Sequence, residues 1–172
     1  MRQNPTPGGS IIATSSCSGI HPIGSLPEYC GAKAAVIAFC IATAPVLYAK
    51  ENITFNVICP GAVATPNIPP PMREAFGEKM TRMEAVTRGY EKYLGDATVR
   101  EGRSNGEICE VSVDKLLLQP RQSWGNGEAS KMTGTIYEPL FVAIHGEGSG
   151  VAGVTGGENQ ERRTGKGVDS VK

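Results

Sequence analysis

The sequence predicts an α/β fold built on a parallel sheet, and three observations carry that reading. Gly9-Ser10-Ile11-Ile12-Ala13-Thr14 and Ile53-Thr54-Phe55-Asn56-Val57-Ile58-Cys59 are short, largely apolar runs, as expected of strands buried on both faces. Between them lies a long helical segment that is apolar on more than one side. A Pro60-Gly61 turn ends the second run. Strand, helix, strand and turn form one βαβ unit, whose crossover is right-handed. Ligands of such sheets bind beyond the carboxyl ends of the strands. Ser16 and the 60–65 segment both lie at such ends.

The elements follow in order. Met1 to Gly9 is polar and rich in Pro and Gly, unlike a signal peptide. The first strand closes on the hydroxyls Ser15 and Ser16. In the helix expected over 28–50, Ala32, Val36, Phe39, Thr43 and Val46 mark one face, and Ile37, Ile41, Ala44 and Tyr48 another. A helix apolar on two sides is buried on two sides, and Pro45 should kink it or end its regular bonding. After the second strand, Pro66 to Pro71 reads as a stiff, extended connector. Met72, Phe76, Met80, Met83, Val86, Tyr90 and Leu94 recur at helical spacing, so an amphipathic helix is expected over 72–94, weakened by Gly77 and Gly89. It reads as a helix packed on the sheet or as a lid with an adaptable, Met-lined wall.

Asn105-Gly106 marks a turn before a third strand over 107–113. Beyond Pro120 the pattern dissolves, so the chain divides into a domain over 1–119 and a loop-rich or disordered, Gly-rich tail over 120–172, with a short strand at Leu140–Ile144. Within the tail, 148–153 matches G-x-G-x-x-G, but no helical pattern follows. A phosphate-binding turn needs that helix, so the segment reads as flexible chain.

The chemistry concentrates at Tyr29 and Lys33. Four residues apart on a helix, their side chains share a face. A phenol titrates near ~10 in water, too high for proton transfer at neutrality, and a nearby cation lowers that value. A depression of about three units takes roughly 4 kcal/mol and makes tyrosine a general acid or base. The spacing alone also suits a solvated helix face. The flanks decide: Ser16 stands thirteen residues upstream of Tyr29, and Pro60-Gly61-x-x-x-Thr65 follows the next strand.

With Asn56, these residues resemble the short-chain dehydrogenase/reductase family of NAD- or NADP-dependent oxidoreductases. The likeness implies a partial Rossmann-like, doubly wound parallel sheet, holding strands 5–7 of the family with their helices: its C-terminal half only. It implies hydride transfer between a nicotinamide cofactor and an alcohol or ketone. Tyr29 would be the acid/base, Ser16 would hold the substrate oxygen, and Lys33 would bind the nicotinamide ribose and lower the tyrosine's pKa. Pro60, Gly61, Val63 and Thr65 would form the nicotinamide contact. The NAD or NADP site is then incomplete, because the family's Gly-rich turn and its cofactor-selecting residue are not found here. A truncated reading frame, inactive alone, is expected. The alternative is a non-catalytic fragment that associates with a full-length homologue. The likeness also implies a homo-oligomer through the 28–50 helix.

Composition bounds the rest. With 17 basic and 17 acidic residues the net charge is zero, which gives no argument for nucleic acid or an anionic membrane as partner. No apolar run approaches the ~20 residues of a membrane span. Five cysteines without a C-x-x-C pair read as buried thiols, and a cytoplasmic protein is expected. Cys17 and Cys30 adjoin Ser16 and Tyr29, and His21 lies in the loop between them. The His and Cys spacing supports no metal site. A small, lipophilic alcohol or ketone is the expected substrate.

Overall fold

The structure, a computed structural model, describes residues 1, 3–94 and 102–149. They fall into two units, Met1–Gln119 and the part from Pro120 onward. Gly150 to Gly153 of the Gly-rich motif, and the 158–172 stretch, lie outside the described residues.

The first unit is a mixed four-stranded sheet in the order β1-β2-β3-β4. β1 (Gly9–Thr14) runs parallel to β2 (Ile53–Pro60), with Gly9 opposite Ile53 and Thr14 opposite Ile58. β2 runs parallel to β3 (Ile108–Ser112). β4 (Lys115–Gln119) returns antiparallel to β3. The apolar runs form β1 and β2 because both faces are covered, which removes the need for alternation. On one face α1 (Pro27–Glu51) places Ile37, Cys40 and Ala44 against Phe55, Val57, Cys59 and Ile108. On the other, α3 (Met83–Glu91) places Ala85 and Val86 against Ile58, Cys109 and Val111. Helices on both faces of parallel strands make this an α/β fold.

α1 opens on Pro27, whose missing N–H costs nothing in the first turn. It ends at Asn52, which takes the left-handed conformation at φ 53°. Pro45 lies inside the helix without ending it. α1 is long and apolar enough to cross a membrane by length and composition only, a test that the core helix of a soluble protein also passes. In this fold its Cys30, Ile37, Cys40 and Ala44 stripe is buried, while Phe39 on another side is 63% exposed.

The bottom of the sheet is tied by side chains. The Asn56 amide donates to the Ser104 carbonyl at 2.9 Å and its oxygen accepts from the Glu107 N–H at 3.0 Å. Arg103 Nη2 donates to the Gly9 carbonyl at 2.6 Å and Nη1 to the Asn52 carbonyl at 3.2 Å, joining β1 to the start of β2. Asn56 is fully buried, so its part here is to join β2 to the segment before β3.

The helix expected over 72–94 is two helices. α2 (Pro70–Phe76) starts within the proline cluster and stops at Gly77, whose φ of +50° leaves the helical region. Met80 is extended, and the chain re-enters helix at Met83. Gly89 permits close packing of α3, since a Cβ there would meet Val111 at 3.4 Å. β4 was not foreseen: a two-residue connection, Val113-Asp114, returns the chain, with Val113 at φ 55°.

The second unit, taken by itself, also corrects the sequence reading. It contains α4 (Gly127–Thr135) and α5 (Glu138–His145), where loop and a strand at Leu140–Ile144 were expected. A short apolar run does not distinguish strand from helix by periodicity. Pro139 in the first turn and left-handed Gly146 at the end settle it as helix.

Candidate active site at the strand ends

The site is built where β1 stops. Ser15 and Ser16 leave the sheet, and the chain enters a tight turn at Cys17–Gly19. The Ser16 hydroxyl accepts from the Ser18 N–H at 3.2 Å, capping that turn. Ser15, its neighbour, faces the other way: its N–H donates to the Ile58 carbonyl at 2.8 Å and its hydroxyl to the Lys33 carbonyl at 2.7 Å. Of two adjacent serines, one is committed to structure and one stands at the strand end. Gly19 lets the turn approach α1, because a Cβ there would sit 2.8 Å from the Lys33 carbonyl carbon.

The first turns of α1 present Tyr29 and Lys33 on one face. The Lys33 ammonium lies 5.7 Å from the Tyr29 ring centroid, within reach of a cation–π contact. It also donates to the Thr14 carbonyl at 3.3 Å. Lys33 is thereby tied to the strand that leads to Ser16, while Tyr29 is 44% exposed. The Thr14 hydroxyl pairs with the Tyr90 phenol from α3. An ammonium carries three donors, so the bond to Thr14 leaves Lys33 able to meet further acceptors, such as the hydroxyls of a ribose. The residue types present thus fit the nicotinamide-ribose end of a dinucleotide.

β2 ends in the same region. Gly61 donates to the Val111 carbonyl at 2.9 Å, and a Cβ on it would fall 2.6 Å from the Thr81 hydroxyl oxygen. The Thr81 N–H reaches the Ala62 carbonyl at 2.7 Å, and Val63 bridges Thr81. Thr65 then turns back, its N–H on the Val63 carbonyl at 2.7 Å. Pro60, Gly61, Val63 and Thr65 therefore share one pinned segment. Thr81 and Arg73, which hold this segment, were missed in the sequence, because a single polar residue in a loop or amphipathic helix carries no pattern.

His21 pairs with Glu110 of β3 at 3.2 Å, and Gln119 donates to the same carboxylate oxygen at 2.6 Å. Cys30 is buried: the Ile23 N–H donates to its sulfur at 3.3 Å. Burial pushes the Cys59 thiol up to about 12 and also raises Cys109, so both stay protonated and unreactive at neutrality. An open groove of about 380 Å³ lies beside the start of α1, lined by Pro22, Ile23, Gly24, Pro27, Cys30, Gly31 and Ala34.

Comparison with known proteins follows the same residues. Residues 2–73 match the family model described as short chain dehydrogenase. The chain is 45% identical over 152 residues to short-chain dehydrogenase/reductase prx6 of Penicillium rubens, covering 88% of this chain and 50% of that one. It is 41% identical over 127 residues to mouse 15-hydroxyprostaglandin dehydrogenase [NAD(+)], covering 66% and 47%. The chain thus spans about half the length of these curated relatives. Among solved structures, 3-hydroxyacyl-CoA dehydrogenase type-2 from Mycobacterium avium matches with a TM-score of 0.50 at 22% identity, over 70% of this chain and 47% of that one, a likeness of fold alone. The family match occupies the first part of this chain, and the expectation of a C-terminal half only is not borne out.

Proposed function

We propose that the chain is a short-chain dehydrogenase/reductase, on the match of residues 2–73 to that family's model and the 45% identity to the Penicillium rubens relative, and that it serves hydride transfer between a nicotinamide cofactor and a small alcohol or ketone. The observation that carries the reading is the shared face of Tyr29 and Lys33 beside the strand end that bears Ser16. Its three parallel strands are read as the family's fifth to seventh, supported by the order of Ser16, Tyr29, Lys33, Pro60-Gly61 and Thr65 along them.

In this reading the cofactor, when bound, supplies or accepts the hydride. Tyr29 passes a proton between its hydroxyl and the substrate oxygen. The Ser16 hydroxyl donates to that oxygen and fixes its position. Lys33 binds the ribose, while its bond to the Thr14 carbonyl limits where its ammonium can lie. Val63 and Thr65 receive the nicotinamide amide. NAD, the cofactor in the printed name of the mouse relative, is the first to try. The same name points to a hydroxy compound as that relative's substrate, and the apolar groove beside α1 supports a lipophilic substrate here. A cytoplasmic setting and self-association through the exposed side of α1 belong to this reading as well.

The test is thermal unfolding of the purified chain with and without saturating NADH or NADPH, followed by turnover on secondary alcohols. A ligand that binds only the folded form raises the midpoint, and Tyr29→Phe should keep that shift while losing turnover by at least a hundredfold. No shift with either cofactor would overturn the proposal. Capture of a full-length relative in that event would favour the association reading.

A further inference from the structure

The segment after Pro60-Gly61 is pinned from two sides. On one side stands Thr81, through the Ala62 carbonyl and the Val63 bridge. On the other stands Arg73, in the middle of α2. Its guanidinium forks across the Thr65–Ile68 turn: Nε donates to the Ile68 carbonyl at 2.6 Å and Nη2 to the Thr65 carbonyl at 2.8 Å. The Thr65 carbonyl also accepts the Ile68 N–H at 3.0 Å, so the two ends of the turn are closed twice. α2 itself buries no residue. Half-buried Arg73 is therefore a principal link between an exposed helix and the turn that holds Thr65.

We infer that Arg73 is a positioning residue: it sets the Thr65–Ile68 turn and transmits the position of α2 to the segment that receives the nicotinamide. The inference rests on the proposed function for its cofactor half and on hydrogen bonding alone for its structural half. Two carbonyls separated by a turn need a planar fork with donors at fixed separation. A lysine ammonium has no planar fork, and its rotatable donors on a flexible stem are not preset at that separation. Charge-assisted bonds of this kind are about twice as strong as neutral ones, enough to hold a surface turn that has little apolar packing of its own.

Amide exchange at Ile68, read by NMR, tests the structural half in the full chain without any ligand. Arg73→Ala should speed that amide at least tenfold while amides of β1 and β2 stay unchanged, and Arg73→Lys should restore less than half of the protection. Millimolar guanidinium should return part of it to Arg73→Ala and none to the parent. In the same proteins the NADH dissociation constant should rise about tenfold in Arg73→Ala, with the ligand-free melting midpoint moved little. Unchanged exchange at Ile68 would overturn the inference, and so would faster exchange with unaltered NADH affinity. A parent chain that binds no NADH would refute the proposed function instead, and exchange at Ile68 would still decide whether the fork holds the turn.

Discussion

Single residues do two kinds of work at the strand ends. Glycines permit contacts that a Cβ would forbid, and polar side chains spend their bonds on the backbone. Gly19 is the clearest case of the first kind. A methyl group there would lie 2.8 Å from the Lys33 carbonyl carbon, which is backbone and has no freedom to swing aside. Gly19→Ala should therefore destabilise by about 1–3 kcal/mol and lower the melting midpoint by several degrees. Gly24→Ala, with nothing within 4 Å of the added carbon, should leave the midpoint unmoved. Equal effects of the two changes would refute this account. The candidate set of Tyr29, Lys33 and Ser16 was legible in the sequence through the order of its motifs, since the Tyr29–Lys33 spacing alone also suits a solvated helix face. The division of labour between Ser15 and Ser16 was not. It depends on which hydroxyl faces the Lys33 carbonyl, and that follows only once α1 is docked.

At the scale of elements, continuous apolar runs identified β1 and β2, and a two-sided apolar pattern identified α1. The hairpin to β4 escaped because its turn contains Val113, a β-branched residue that rarely adopts φ 55°. The turn is held from outside: the Arg82 N–H donates to the Val113 carbonyl at 2.8 Å, and Arg88 donates to the Asp114 carbonyl at 2.6 Å. Val113→Asn keeps both backbone acceptors and places a residue that tolerates the left-handed region. It should stabilise the chain by about 0.5–1 kcal/mol, read as a higher denaturant midpoint at constant slope. A lower midpoint would mean that Val113 contributes more by packing than it costs in strain. The 72–94 pattern misled for a related reason: its spacing was correct, but Gly77 left the helical region and broke one helix into two.

At the scale of the whole molecule, helices on both faces of the sheet leave its two ends to be tied separately. The end opposite the candidate site carries an ion pair, Lys92 with Glu107 at 2.7 Å, joining the residue after α3 to the residue before β3. Burial alone would raise the Glu107 carboxyl, but Lys92 outweighs it and holds the group below its ordinary value, and the Tyr93 hydroxyl also donates to it at 3.3 Å. A carboxyl depressed in the folded state contributes stability at pH above its ordinary value, near 4.5. That contribution is lost as the pH falls through the depressed folded value. Lys92→Met should thus cost about 0.5–1 kcal/mol at pH 7, and the gap to the parent should close below about pH 4. A gap that persists in acid would assign the loss to packing of the lysine stem.

The sequence by itself determined the α/β class, the family likeness and the identity of the residues that face the strand ends. The class follows from periodicity, and the likeness and its candidate residues from the order of motifs along the chain; both are local properties. Only the tertiary structure decided how these residues are held: Lys33 by the Thr14 carbonyl, Gly61 against Thr81, and Thr65 by the fork of Arg73. Each of these contacts joins residues brought together by folding, and their geometry exists only after strands and helices have packed. Apolar burial supplies that packing, and being non-directional it leaves no trace in the spacing of the polar residues it brings into register.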